Sequence, residues 1–279
     1  MTITQSPVQQ DVGLGTAYER WAIYKRLEKL CDALNIKRAL EGPWDGMAGI
    51  PGVHLLVQAH HGLDVLAVHQ NKEGTEQIQK IYTAHGLSQR LECALADTPP
   101  KDCGVDLVLS FNALPLVEDW RSYIEALFAT GTSYLFLAVT NPKSYGVYLR
   151  RALRIMERSS EGIELFEHDS THYETLKEEL EARGRILHHE YLDCPWWPDL
   201  FVPTGEQLWS GTLKRFGYGG ESTGRAPFSY GLEDFPYRGR PDTQELVRAM
   251  GKHPSFDGAP GFLPRFFGHH QLFVVEARG

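Results

Sequence analysis

Residues 106–120, DLVLSFNALPLVEDW, decide the fold. Asp106 to Phe111 is an apolar run, as is SYLFLAV at 133–139, and runs of strand length without polar alternation suit strands buried on both faces of a sheet. Between them Trp120 to Ala129 reads as a helix. Strand, helix and strand in this rhythm make a βαβ unit, which joins parallel strands. Ser110, Asn112 and Leu114 then fall at the carboxyl end of the first strand, where open α/β sheets bind their ligands.

The same rhythm extends in both directions. Strands are predicted at Arg38–Leu40, Val65–Val68, Leu91–Leu95, Val105–Phe111 and Ser133–Thr140, with helices at Pro51–His61, Glu73–His85 and Trp120–Ala129. Ahead of them Trp21, Ile23, Leu27, Leu30 and Leu34 recur near helical spacing, which predicts an amphipathic helix over Thr16–Leu34. Beyond them lie a charged helix, ETLKEELEAR at 174–183, an alternating strand, RILHHEYL at 185–192, and a last strand, QLFVVEA at 271–277. From Cys194 to Gly268 the chain is rich in proline, glycine and aromatics, too long for an ordinary loop and too apolar for disorder. An ordered insertion that covers something is expected there.

With 36 acidic and 28 basic residues the net charge is −8, which gives no footprint for nucleic acid or an anionic membrane surface. A neutral or cationic small molecule is the easier partner. The four cysteines show no C-x-x-C spacing and read as reduced thiols, so a soluble, cytoplasmic protein is expected. The opening MTITQSPVQQDVG lacks the basic start and apolar core of a signal peptide, and no apolar run has the length of a membrane span.

The order of elements resembles the class I S-adenosylmethionine-dependent methyltransferases. TAYERWAIYKRLEKL at 16–30 looks like the helix that covers the cofactor in that family. RALEGPWDGMAGIPG at 38–52 stands where the family has its first motif, an acidic residue ending strand one and then a glycine-rich turn. Glu41 matches the acid, and Gly42, Gly46, Gly49 and Gly52 supply small residues, although Pro43, Asp45 and Met47 occupy positions where glycine is usual. The second strand ends in His69, Gln70 and Asn71 instead of the carboxylate that takes the ribose hydroxyls. Asp97, with Ala96 beside it offering a backbone donor, matches the acid that receives the adenine amino group; it also reads as a turn aspartate before Pro99-Pro100. DLVLSFNALPLVEDW is similar to the fourth motif, which faces the transferred methyl.

The resemblance implies a Rossmann-like doubly wound, mostly parallel sheet with an antiparallel last strand and the aromatic-rich insertion before it. It implies S-adenosylmethionine as cofactor, S-adenosylhomocysteine as product, and methyl transfer to a small molecule whose nucleophile, O, N, S or C, the sequence leaves open. Residues 14–193 and 269–279 would form the cofactor domain, and 194–268 an acceptor-site cover or a homodimer surface. Cofactor contacts are expected from Tyr18, Glu41, Gly42, Trp44, Gly46, His69, Gln70, Ala96, Asp97, Ser110 and Asn112; Tyr18 and Trp44 read equally as core aromatics.

An acceptor hydroxyl or thiol would need a base, and FEHDSTHY at 166–173 offers His168, Asp169, His172 and Tyr173; with His168 and His172, Asn112 at the end of the fourth strand is a catalytic candidate. The same stretch reads as helix capping. Three HH pairs, at 60–61, 188–189 and 269–270, are expected at strand ends and not as metal ligands; the last two pairs would meet only if their strands are neighbours in suitable register. A methyltransferase-like protein that binds without catalysis is the alternative reading, and an NAD(P)-dependent oxidoreductase a weaker one, since G-x-G-x-x-G is missing after strand one.

Overall fold

The computed structural model describes residues 10–11, 13–45, 49–148, 168–193, 230–231, 241–250 and 261–278. Seven strands form one sheet: β1 (Arg38–Glu41), β2 (Asp64–His69), β3 (Leu91–Leu95), β4 (Leu107–Phe111), β5 (Tyr134–Thr140), β6 (Gly184–Asp193) and β7 (Gly268–Ala277). Their order across the sheet is β3-β2-β1-β4-β5-β7-β6; β7 runs antiparallel to both neighbours and the remaining pairs are parallel. Gln10–Asp11 pairs separately with Tyr230–Gly231. This is the doubly wound architecture that the alternation of strand and helix implies.

Period-two alternation divides the core between the two faces. Ala39, Val65, Ala67, Leu107, Leu109, Phe111, Phe136, Ala138 and Leu272 pack beneath helices α1 (Gly13–Leu34), α2 (Leu56–His60) and α3 (Lys72–Ala84). Leu40, Leu66, Val68, Val108, Leu135, Leu137, Val139, Phe273 and Val275 pack beneath α4 (Trp120–Phe128) and α5 (Tyr173–Arg183). Every residue of β4 is buried, which is why its sequence shows no polar alternation. Helix α6 (Pro241–Met250) contributes Leu246 to the α1-side core, and α7 (Leu263–Phe267) leads into β7. Among the described residues no helix is long and apolar enough to cross a membrane.

Two elements differ from expectation. The predicted helix over 51–61 is a 3-10 turn at Val53–Leu55 followed by the short α2. Gly52 sits at φ 95°, a left-handed conformation that interrupts a helix, and a Cβ there would press within 2.9 Å of Ile78. The last strand begins at Gly268, so His269 and His270 lie inside the sheet. Asn141 fixes this start: its Nδ2 donates to the carbonyls of Arg265 and Gly268, each at 2.7 Å, while its Oδ1 accepts from Lys143 N.

Candidate functional site

The connections from β1 and β4 leave toward opposite sides of the sheet, which opens a crevice at the carboxyl ends of these neighbouring strands. Gly42, which follows β1, runs against β2: at φ 125° a Cβ would lie 2.1 Å from the Val68 carbonyl oxygen, so only glycine passes. Glu41 is buried and its carboxylate is occupied from within the chain. Oε2 accepts from Gly52 N at 2.8 Å and His54 N at 3.3 Å, and Oε1 lies 2.5 Å from His54 Nδ1. The backbone donors of this turn are therefore directed inward, at Glu41. Asp45 follows in the loop, its carboxyl pushed up to about 6 by burial and by the neighbouring charge of Glu41. Trp44 packs on the α4-side core; Gly46 lies outside the described residues.

At the end of β2 the ring of His69 is 1% exposed and packs against α3, where a Cβ at Gly74 would lie 2.6 Å from Nδ1. Burial lowers His69 to about 4, against the opposing pull of Glu41 and the Pro51 carbonyl, so the ring is neutral near pH 7. Gln70 is exposed, and Asn71 caps α3 through Gly74 N at 2.8 Å. Residues 69–71, which end the strand and lead into α3, include no carboxylate. After β3, Ala96 N donates to the His69 carbonyl at 2.9 Å, so the backbone donor expected at Ala96 is taken by the sheet. Asp97 is exposed, and Leu95, 64% exposed, gives the same strand end an apolar surface. This strand end therefore presents an apolar surface and a carboxylate side by side.

Asn112 ends β4 at φ 51°, a left-handed conformation that asparagine tolerates better than most residues. It is buried, and its Nδ2 lies 3.2 Å from His270 Nδ1. His270 Nε2 is in turn 3.5 Å from Glu19 Oε1 on α1, and His269 Nδ1 is 3.2 Å from the same oxygen. Burial would raise the Glu19 carboxyl, but the electrostatic pull of His270 and hydrogen bonds from both histidines outweigh it and hold the group well below the usual carboxylate range. Phe111 packs between the rings of His54 and His270, at centroid distances of 4.5 and 5.4 Å. Tyr18, one residue before Glu19, is buried in the α1-side core, and Ser110 is buried on the opposite face beside the Tyr123 hydroxyl.

Glu19 and His270 are the functional candidates that sequence reasoning missed. The HH pair at 269–270 was visible, but its partner is a glutamate 250 positions from His269. His188 and His189 pair with Val274 and Phe273, so the two HH pairs stay apart although their strands are neighbours. Among the described residues no group of three metal-ligating side chains is assembled. His168 caps the 3-10 turn at Asp169–Thr171, its Nδ1 accepting from Ser170 N at 3.3 Å, and His172 is exposed at the start of α5.

No protein-family model and no curated protein matches the sequence. Solved structures resemble it in architecture. One is the [4+2]-cyclase SpnF, at 12% identity and a TM-score of 0.49 over 91% of this chain and 81% of that one. Another is the O-methyltransferase segment of StiE, at 14% identity and 0.48 over 92% and 74%. A third is the plantazolicin methyltransferase BpumL in complex with SAH, at 12% identity and 0.47 over 94% and 86%. At these identities the likeness is one of fold. The strand order β3-β2-β1-β4-β5-β7-β6 with β7 antiparallel is itself that of the Rossmann-like class I methyltransferase fold, which this chain has.

Proposed function

We propose that this chain binds S-adenosylmethionine in the crevice at the carboxyl ends of β1 and β4 and transfers its methyl group to a small-molecule acceptor. The observation that carries the reading is the concentration of polar side chains there. Glu41, Asn112, His54, His269 and His270 are all buried at the point where the connections change sides of the sheet. Asp97 and Leu95 would hold the adenine end, and Gln70, with the neutral His69 behind it, the ribose hydroxyls. Asp45 and the β1 turn lie where the methionine half would run. The bound cofactor supplies a methyl group on a sulfonium; the task left to the chain is to orient the acceptor and exclude water, and orientation is worth up to ~7–11 kcal/mol. The insertion at 194–268 is proposed as the acceptor-site cover, supported by the burial of Leu246 against the α1-side core.

A second reading, a binding protein without catalysis, is favoured by the lack of a carboxylate after β2 and by the occupation of Glu41. The dinucleotide oxidoreductase reading is weakened by β7, since the usual dinucleotide sheet runs 3-2-1-4-5-6. Calorimetric titration separates the first two. The enzyme reading expects saturable binding of S-adenosylhomocysteine with a Kd below ~100 μM, about −5.5 kcal/mol. Failure to bind either S-adenosylmethionine or its product overturns it, and binding without turnover across acceptors of all four nucleophile types favours the second reading.

A further inference from the structure

We propose that Glu19 and His270 are positioning residues that hold the Asn112 amide with its oxygen turned into the transfer site. The acceptor is then a neutral hydrogen donor, an amine N–H or a hydroxyl O–H, and not a carboxylate or a thiolate. The inference rests on the methyl-transfer reading above and adds the class of nucleophile.

One carboxylate, Glu19, faces two imidazoles through a single oxygen. His269 is the nearer ring, at 3.2 Å. His270 turns its Nε2 side to Glu19, 3.5 Å away, and its Nδ1 to Asn112 Nδ2 at 3.2 Å, where the amide N–H is the donor and the ring nitrogen the acceptor. The amide is thereby oriented, and its Oδ1 is buried with no hydrogen-bond partner among the described residues. Thr140 lies directly across the β5–β7 ladder from His270, and its Oγ1 is likewise buried without a partner among the described residues. The left-handed backbone at Asn112 holds this arrangement at the end of β4.

A buried acceptor left unmet is costly, so a ligand that brings N–H or O–H to Asn112 Oδ1 gains on entering, while the Thr140 hydroxyl can meet it as donor or acceptor. An anionic nucleophile would meet the lone pairs of Oδ1 and the charge of Glu19 instead. A neutral amine needs no base before methyl transfer, and the proton of either nucleophile leaves to water after it; the Asn112 amide oxygen orients the N–H or O–H and does not take the proton.

The test is imidazole nitrogen NMR on the full-length protein above neutral pH. His270 is expected as the Nε2–H tautomer, with the Asn112 side-chain amide protected from exchange; Glu19→Gln should mix the tautomers and remove that protection. An Nδ1–H tautomer or an imidazolium in the wild-type protein overturns the proposal, and this arm needs neither cofactor nor acceptor. In a second arm the S-adenosylhomocysteine complex is titrated with phenol, aniline and benzoate. The Asn112 amide resonances should move with phenol or aniline, which separates O–H from N–H recognition; an equal response to benzoate overturns the assignment. If S-adenosylhomocysteine itself fails to bind, the methyl-transfer reading and the nucleophile assignment fall together, while the tautomer arm still tests the Glu19–His270–Asn112 chain.

Discussion

Glu41, the last residue of β1, and His54, in the turn after it, form a buried pair with Oε1 2.5 Å from Nδ1. The pair ties the end of the strand to the 3-10 turn, since Oε2 also receives the amides of Gly52 and His54. Removing one partner of such a pair leaves the other buried and uncompensated. His54→Ala is therefore expected to destabilise the fold by about 3–5 kcal/mol. Glu41→Gln, which still offers an oxygen to the amides, should cost less, about 1–3 kcal/mol. Urea unfolding of the two variants checks the order, and a His54→Ala midpoint equal to that of the wild-type protein would sink the account.

His69 makes stability depend on pH in a defined window. Its ring takes a proton near 6.5 when unfolded and near 4 in the fold, because burial disfavours the charged form. Above about 6.5 the ring is neutral in both states and the fold is unaffected. As pH falls from there toward 4 the unfolded chain alone gains the proton, and the native state loses about 3 kcal/mol. Glu19 acts lower: its depressed value contributes stability above the usual carboxylate range, and this is lost only as pH falls below that range. His69→Gln should flatten the slope between pH 6.5 and 4, leaving a residue from His189, which burial also lowers to about 4. Denaturation midpoints across that range are the measurement, and an unchanged slope would count against a buried neutral ring.

The sheet was legible in the sequence because its central strands are buried on both sides. LVLSF and YLFLAVT leave no solvent face to carry polar residues, so they read as strands without knowledge of their neighbours. The carboxyl-end position of Asn112 followed from that alone. Glu41 was also placed correctly at the end of β1, but its partner was not. The pairing with His54 depends on the left-handed turn at Gly52, which breaks the helix that the apolar spacing of 51–61 suggests. The contact of Glu19 with His269 and His270 has no local signature, because it is made by the insertion of β7 between β5 and β6. His168 illustrates the reverse: a histidine with the chemistry of a base serves to cap the turn that its neighbours form.

Asn141 gives a structural control for the histidine pair. Asn141→Ala removes the donor to the carbonyls of Arg265 and Gly268, at an expected cost of about 1–3 kcal/mol. Its backbone N–H would still hold the His269 carbonyl at 2.7 Å, so β7 should remain in the sheet while its first residues loosen. Hydrogen exchange should accelerate at the amides of 268–271 and stay slow at Phe273–Val275. Uniform protection along β7 in the variant would show that Asn141 does not anchor the strand.

The two ends of the proposed cofactor site make opposite predictions. Asp97 is an exposed carboxylate beside exposed Leu95, with no hydrogen bond or ion pair among the described residues. Asp97→Ala should leave unfolding unchanged and weaken S-adenosylhomocysteine binding at least tenfold, about 1.4 kcal/mol. Gln70 stands, also exposed, where the strand lacks an acid. Gln70→Asp replaces a neutral acceptor with one that forms charge-assisted bonds to a vicinal diol, so binding should tighten several-fold. Calorimetry on both variants tests the orientation of the cofactor as well as its presence. Equal affinities for all three proteins would place the adenine and ribose elsewhere, whereas weaker binding by Gln70→Asp alone would mean that the site meets a group other than the ribose hydroxyls at this strand end.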